Sequence, residues 1–216
     1  MKDIGSLIDH TLLKADADSN MIRNLCNEAM EYGFYSVCVN PSHVSLCKEI
    51  LKESHVKIAT VIGFPLGANT SKIKGYEAKD AMDNGADELD MVINIGALKD
   101  KDYDLVRQDI KTVVDLAKPD LIVKVIIETS LLDEQEKITA CKLAMEAGAD
   151  FVKTSTGFSG GGASISDIEL MRSVVGDLGI KASGGIRDYD TAIKMIDAGA
   201  TRIGASSSVK IVNERG

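Results

Sequence analysis

Four times along the 216-residue chain, a helical ending runs through a glycine into an apolar stretch. The segments cover residues 30–34, 82–87, 145–150 and 196–201, with glycines at 33, 85, 148 and 199. Each glycine suits the left-handed backbone position that closes a helix. They lie 52, 63 and 51 residues apart, an interval that holds about two strand–helix units, so the echo marks every second strand.

The rest of the pattern agrees. Apolar runs of strand length recur at residues 35–39, 56–62, 88–93, 121–127, 151–154, 180–183 and 202–205. Between them lie charged segments with helical spacing. In 102–117, Tyr103, Val106, Ile110, Val113, Val114 and Ala117 form an i, i+3, i+4, i+7 stripe. The segment 133–147 opens on Asp133 as an N-cap, with Glu136 three residues on. Strands apolar on both faces, separated by single amphipathic helices, predict a parallel sheet covered by helices. The four echoes make eight strands once an early strand is placed near residues 7–12. No composition shift marks a boundary. The expected fold is therefore an α/β protein, a single (β/α)8 barrel domain over residues 1–216. An open doubly wound sheet fits less well, because GxGxxG after the first strand is absent.

Composition narrows the function. A net charge of −8 argues against a nucleic-acid partner. No apolar run has the length of a membrane span. The first twenty residues, with Asp3, Asp9, His10, Asp16 and Asp18, do not read as a signal peptide. The cysteines at 26, 38, 47 and 141 form no CxxC pair, so a reduced, cytoplasmic protein is expected. His10, His43 and His55 lack metal spacing and read as surface or packing residues, so no metal is expected. Met82, Met91, Met145 and Met195 read as core.

In a barrel, function gathers where the strands end. Charged residues interrupt several of the apolar runs: Asp90 in Glu88–Ile93, Lys124 in 121–127, Lys153 in Phe151-Val152-Lys153-Thr154 and Lys181 in Ile180-Lys181-Ala182-Ser183. Burial disfavours the ammonium form of a lysine, and a second lysine nearby disfavours it further. At about 5 Å and an effective dielectric near 20, that repulsion is about 3 kcal/mol, or roughly two pKa units. A neutral lysine amine attacks a carbonyl to form a Schiff base. Read as structure alone, the same residues are buried ion pairs, Asp90 with Lys124 for example. Glycine-rich loops follow the last strands: Ser183-Gly184-Gly185-Ile186-Arg187, then Gly204-Ala205-Ser206-Ser207. Their amides can approach an anion, as phosphate loops of such barrels do. Gly157 and Gly160-Gly161-Gly162 offer a third wall, or only turns. Cys38 ends a strand, where a site-facing thiol and a packed one are both open.

Taken in order, these motifs give the chain a resemblance to the deoxyribose-phosphate aldolases, class I Schiff-base aldolases. The resemblance rests on Ile8-Asp9-His10-Thr11-Leu12-Leu13-Lys14, Val37-Cys38-Val39-Asn40-Pro41, Ile62-Gly63-Phe64-Pro65-Leu66-Gly67, Glu88-Leu89-Asp90-Met91-Val92-Ile93-Asn94, the run 121–128, Val152-Lys153-Thr154-Ser155-Thr156-Gly157, and the two phosphate loops. It implies that Lys153 forms the Schiff base, that Lys181 depresses its pKa, and that Asp90 relays protons through a water. It places Asp9, Thr11, Cys38, Lys124 and Thr156 around the substrate, and Gly157, Gly184, Gly185, Gly204, Ser206 and Ser207 around its phosphate. It further implies reversible cleavage of 2-deoxy-D-ribose 5-phosphate to D-glyceraldehyde 3-phosphate and acetaldehyde, without a cofactor, in a homodimer. Two departures stand out. Phe158 occupies a position where some members carry a lysine. The last residues, Asn213-Glu214-Arg215-Gly216, lack the tyrosine that ends some members. A barrel sugar-phosphate isomerase or epimerase without an imine, and a non-enzymatic phosphosugar-binding module, are the alternatives. Neither needs strand lysines.

Overall fold

In the computed structural model, which describes residues 4–214, eight parallel strands close into one barrel in chain order. The strands are β1 (Ile8–Leu12), β2 (Ser36–Val39), β3 (Lys57–Ile62), β4 (Glu88–Val92), β5 (Ile122–Ile126), β6 (Phe151–Lys153), β7 (Gly179–Ser183) and β8 (Arg202–Ala205). β1 pairs with β8, which completes the closure. The signal-peptide reading at Asp3, and the tail reading at Arg215 and Gly216, fall outside the described residues.

The four echo glycines precede β2, β4, β6 and β8, and all have positive φ: 65°, 101°, 86° and 117°. Nine α-helices occur among the described residues: α1 (Ser19–Glu31), α2 (Val44–Ile50), α3 (Ser71–Asp83), α4 (Ile95–Lys99), α5 (Tyr103–Ala117), α6 (Glu134–Glu146), α7 (Ile165–Val175), α8 (Tyr189–Asp197) and α9 (Ser208–Asn213). Asp133 and Glu136 form the full reciprocal capping box of α6. Asp102 caps α5 by accepting from the Leu105 amide at 3.1 Å.

The apolar core lies between barrel and helices. On α5 the predicted stripe is buried from Val106 to Ala117, whereas Tyr103, in the first turn, is exposed. Met145 is also exposed, against the core reading. The buried face of α6 is Ala140, Cys141, Leu143 and Ala144, and Met145 falls to its side. Met91 and Met195 are buried, and Met82 is half-buried against the core. His10, on the outward face of β1, is buried and pairs with Glu28 at 2.7 Å. All four cysteines are buried and free. α3 and α5 are joined by a buried ion pair, Lys74 to Asp109 at 2.5 Å, and Lys74 also donates to the Val92 carbonyl at the end of β4. Among the described residues no helix is long and apolar enough to cross a membrane.

Candidate active site

The barrel lumen is ionic where most barrels are apolar. Side chains two apart on a strand share a face, so β4 turns both Glu88 and Asp90 inward, and β8 turns Arg202 and Gly204 inward. Asp9, Lys124, Lys153 and Lys181 join them from β1, β5, β6 and β7. Four basic groups thus meet three acidic ones.

Asp90 is the hub. Its Oδ1 accepts from Lys124 at 2.7 Å, and its Oδ2 accepts from both Lys153 at 2.7 Å and Lys181 at 2.8 Å. Lys181 also meets Asp9 at 2.5 Å, and Lys124 meets Glu88 at 2.5 Å. Arg202 closes the lower layer, 2.8 Å from Asp9 and 3.2 Å from Glu88, with its guanidinium stacked 3.5 Å from the Tyr35 ring centroid. The three cations beside Asp90 overcome the penalty of burial and hold its carboxyl well below the usual range.

The lysines divide the proton between them unequally. Burial lowers the pKa of each. For Lys181, Asp9 and Asp90 together reverse that effect and raise it. Lys124, between Asp90 and Glu88, is also raised. Lys153 has only Asp90 in contact, and its pKa stays lowered, by burial first and then by Lys181. The two-lysine repulsion expected from the sequence operates in the right direction, but Asp90 between the amines offsets part of it. With Lys153 neutral, the lumen carries three cations and three carboxylates, a balanced set.

Lys153 is also the amine that reaches open space. A cavity of about 250 Å³ lies above it, lined among others by Thr11, Ser155, Thr156, Gly157, Gly184, Gly185, Gly204 and Ser206. Asp9, Asp90, Lys124 and Lys181 are fully buried below it and do not line it. Cys38 sits in a small apolar cluster with Leu13, Ala59 and Val61, and burial pushes its thiol up. Ser207 is the N-cap residue of α9 and lies behind Ser206, outside the lining. Gly160, Gly161 and Gly162 also lie outside it. A Cβ at Gly162 would come within 2.4 Å of the Gly184 carbonyl, so this glycine lets the loops after β6 and β7 pack together.

Several residues here were not singled out from the sequence. Lys14 and Arg187, both exposed, line the cavity and supply positive charge that Phe158 does not. Phe158 lines it too, edge-on to Phe64 with ring centroids 5.2 Å apart. Glu88 and Arg202 complete the ion lattice. Period-two alternation from Asp90 and from Gly204 was the signal that could have found them.

The geometry sets a buried amine beneath a cavity walled by glycine-rich loops. The family model described as DeoC/LacD family aldolase matches residues 5–213. A deoxyribose-phosphate aldolase of Halalkalibacterium halodurans is 62% identical over 98% of this chain and 96% of its own length. One from Clostridium perfringens is 60% identical over 97% of this chain and 94% of its own. Among solved structures, the tetrameric deoxyribose phosphate aldolase from Aeropyrum pernix superposes with a TM-score of 0.92 at 36% identity, covering 97% of this chain and 89% of that one. The chain belongs to the DeoC/LacD family of aldolases.

Proposed function

We propose that this aldolase reversibly cleaves 2-deoxy-D-ribose 5-phosphate into D-glyceraldehyde 3-phosphate and acetaldehyde, with Lys153 as the imine-forming amine. The observation that carries the reading is Lys153, a buried strand lysine with lowered pKa that opens on a cavity walled by glycine loops. The names of the relatives near 60% identity support the substrate.

Neutral Lys153 adds to C1 of the open-chain sugar, and with one proton taken up from solvent the carbinolamine loses water to give an iminium; the final hydrolysis gives that proton back. The C3 hydroxyl loses its proton to Asp90 through a bridging water. The C2–C3 bond breaks, its electron pair passes to the iminium, and glyceraldehyde 3-phosphate departs. Asp90 can accept because its neighbours hold it deprotonated. The remaining enamine is neutral, so Asp90 then keeps two cations instead of three. Its basicity rises, which favours uptake of the C3 proton, and protonation of the nucleophilic enamine carbon then restores the iminium cation and lowers the basicity of Asp90 again. Hydrolysis releases acetaldehyde and restores the amine.

Lys181 and Lys124 act from below. Lys181 supplies the positive field on Lys153, and both fix Asp90. Asp9 anchors Lys181, and Cys38 packs with Leu13, Ala59 and Val61 in an apolar cluster beside the ion lattice. Thr11 faces the sugar hydroxyls, and Thr156 walls the substrate cavity with its own hydroxyl turned to Glu128. Backbone at Gly157, Gly184, Gly185, Gly204 and Ser206 faces the phosphate, with Ser207 behind it, and Lys14 and Arg187 add charge. Self-association, as in the tetrameric Aeropyrum pernix protein, and a reducing cytoplasmic setting for the four free thiols belong to the same proposal.

The test is chemical trapping. Acetaldehyde with borohydride should leave an ethyl group on the Lys153 peptide, detected by mass. An unmodified Lys153 refutes the assignment. Lys153→Leu should abolish turnover with the fold intact by circular dichroism, and residual wild-type activity in that variant refutes it equally.

A further inference from the structure

Glu128 has no part in the scheme above, yet it organises the loop that follows the reactive strand. It is fully buried, just past the end of β5. Its backbone is left-handed, with φ 57° and ψ 67°, a conformation unfavourable for any residue with a Cβ. A glutamate kept there answers to something other than local preference.

Its Oε2 accepts from the Thr156 amide at 3.2 Å, from the Thr156 hydroxyl, and from the Ser159 hydroxyl at 3.1 Å. The Thr156 hydroxyl accepts in turn from the Phe158 amide at 3.0 Å. One carboxylate oxygen therefore gathers residues 156 to 159, directly or through that hydroxyl. Three of them, Thr156, Gly157 and Phe158, line the cavity above Lys153. The other oxygen, Oε1, is buried and takes no hydrogen bond among the described residues. Buried carboxylates usually meet a cation. This one meets amide and hydroxyl donors of a single loop.

Within the loop, Gly157 has φ 83°, and a Cβ there would meet nothing within 4 Å. Its backbone thus stands at open space between two residues that Glu128 restrains. We propose that Glu128 is a positioning residue for the distal, phosphate-bearing half of the substrate. It holds the loop after β6 so that the Gly157 backbone meets the anion opposite Gly184 and Gly185. The proposal rests on the deoxyribose-phosphate reading above.

The experiment is steady-state kinetics of Glu128→Ala, Glu128→Gln and Ser159→Ala on 2-deoxyribose 5-phosphate and on unphosphorylated 2-deoxyribose. Glu128→Ala should raise KM for the phosphorylated sugar tenfold or more, with kcat within threefold of wild type. Ser159→Ala, which removes one of the donors, should raise it two- to threefold. Glu128→Gln, which keeps an accepting oxygen, should fall between them. kcat/KM for unphosphorylated deoxyribose should stay within threefold throughout. Equal losses on both sugars, or an unchanged KM for the phosphorylated one, overturn the proposal. If Glu128→Ala does not fold, the other two variants decide by the same criteria. A wild type that fails to turn over 2-deoxyribose 5-phosphate refutes the functional reading itself. Normal wild-type turnover with flat KM across the variants refutes the positioning role alone.

Discussion

Lys153 and Lys181 are register partners across β6 and β7, and both donate to the same oxygen, Oδ2 of Asp90, at 2.7 and 2.8 Å. A shared acceptor lets two amines stand side by side. What separates them is Asp9, which touches Lys181 and not Lys153. The proton is therefore lost first from Lys153, the amine that faces the cavity.

The rising limb of kcat/KM with pH should report that loss, because only neutral Lys153 attacks a carbonyl. It should lie below the ordinary lysine value. Lys181→Met removes a positive neighbour and frees Asp9 and Asp90 to favour the Lys153 ammonium. The limb should move to higher pH, with activity near neutrality falling about tenfold per unit of displacement. A pH–rate profile checks this, and an unmoved limb contradicts it.

Gly204 faces the lumen directly beside Lys181. A Cβ there would stand 2.8 Å from Lys181 Cε and 3.1 Å from the Ser183 Cβ. Lys181 is pinned by two carboxylates and cannot simply swing aside. Gly204→Ala should lower kcat at least tenfold and destabilise the fold by about 1–3 kcal/mol, the usual range for overpacking. Denaturant unfolding and steady-state kinetics read the two effects separately.

Lys14 and Arg187 line the mouth and are exposed, so their pull on a phosphate is screened by salt. Arg187→Met should raise KM for the phosphorylated substrate several-fold, and Lys14→Met should add to it. The double variant should also lose most of the salt dependence of KM. A titration of KM against ionic strength decides.

Away from the site, Lys74 and Asp109 form a buried pair, with burial lowering the lysine pKa and Asp109 offsetting part of that. Lys74→Met leaves Asp109 buried without a cation and should cost about 3–5 kcal/mol. Lys74→Met combined with Asp109→Leu should recover much of the loss. Equal destabilisation in single and double variants, measured by urea unfolding, counts against the pair.

The fold was legible because its signals were local and repeated. A helix, a left-handed glycine and an apolar strand need only neighbouring residues to be recognised, and Gly33, Gly85, Gly148 and Gly199 all take that conformation. Lys153, Lys181 and Asp90 were legible for a related reason: a charge inside an apolar strand is conspicuous wherever it sits. Lys14 and Arg187 were not, since an exposed cation in a loop resembles any other until the closed barrel brings residues 14 and 187 to one mouth. Glu128 was further hidden, because its left-handed backbone and its partners at 156 and 159 depend on how two loops meet. Met145 shows the converse error, an apolar residue assigned to the core when the buried face of its helix ends one position earlier.

The contact between Asp9 and Arg202 joins the first strand to the last, across 193 positions of sequence. On the ribosome β1 emerges long before β8. Until Arg202 follows, Asp9 and Glu88 share only Lys124 among the lumen cations, and β1 lacks its second neighbour. The nascent chain can assemble helices and strand pairs in sequence, but sealing of the seam waits for β8 to emerge. The same latch makes the protein hard to trim. A nick that releases β8 would unbalance the charge of the whole interior, far from the cut.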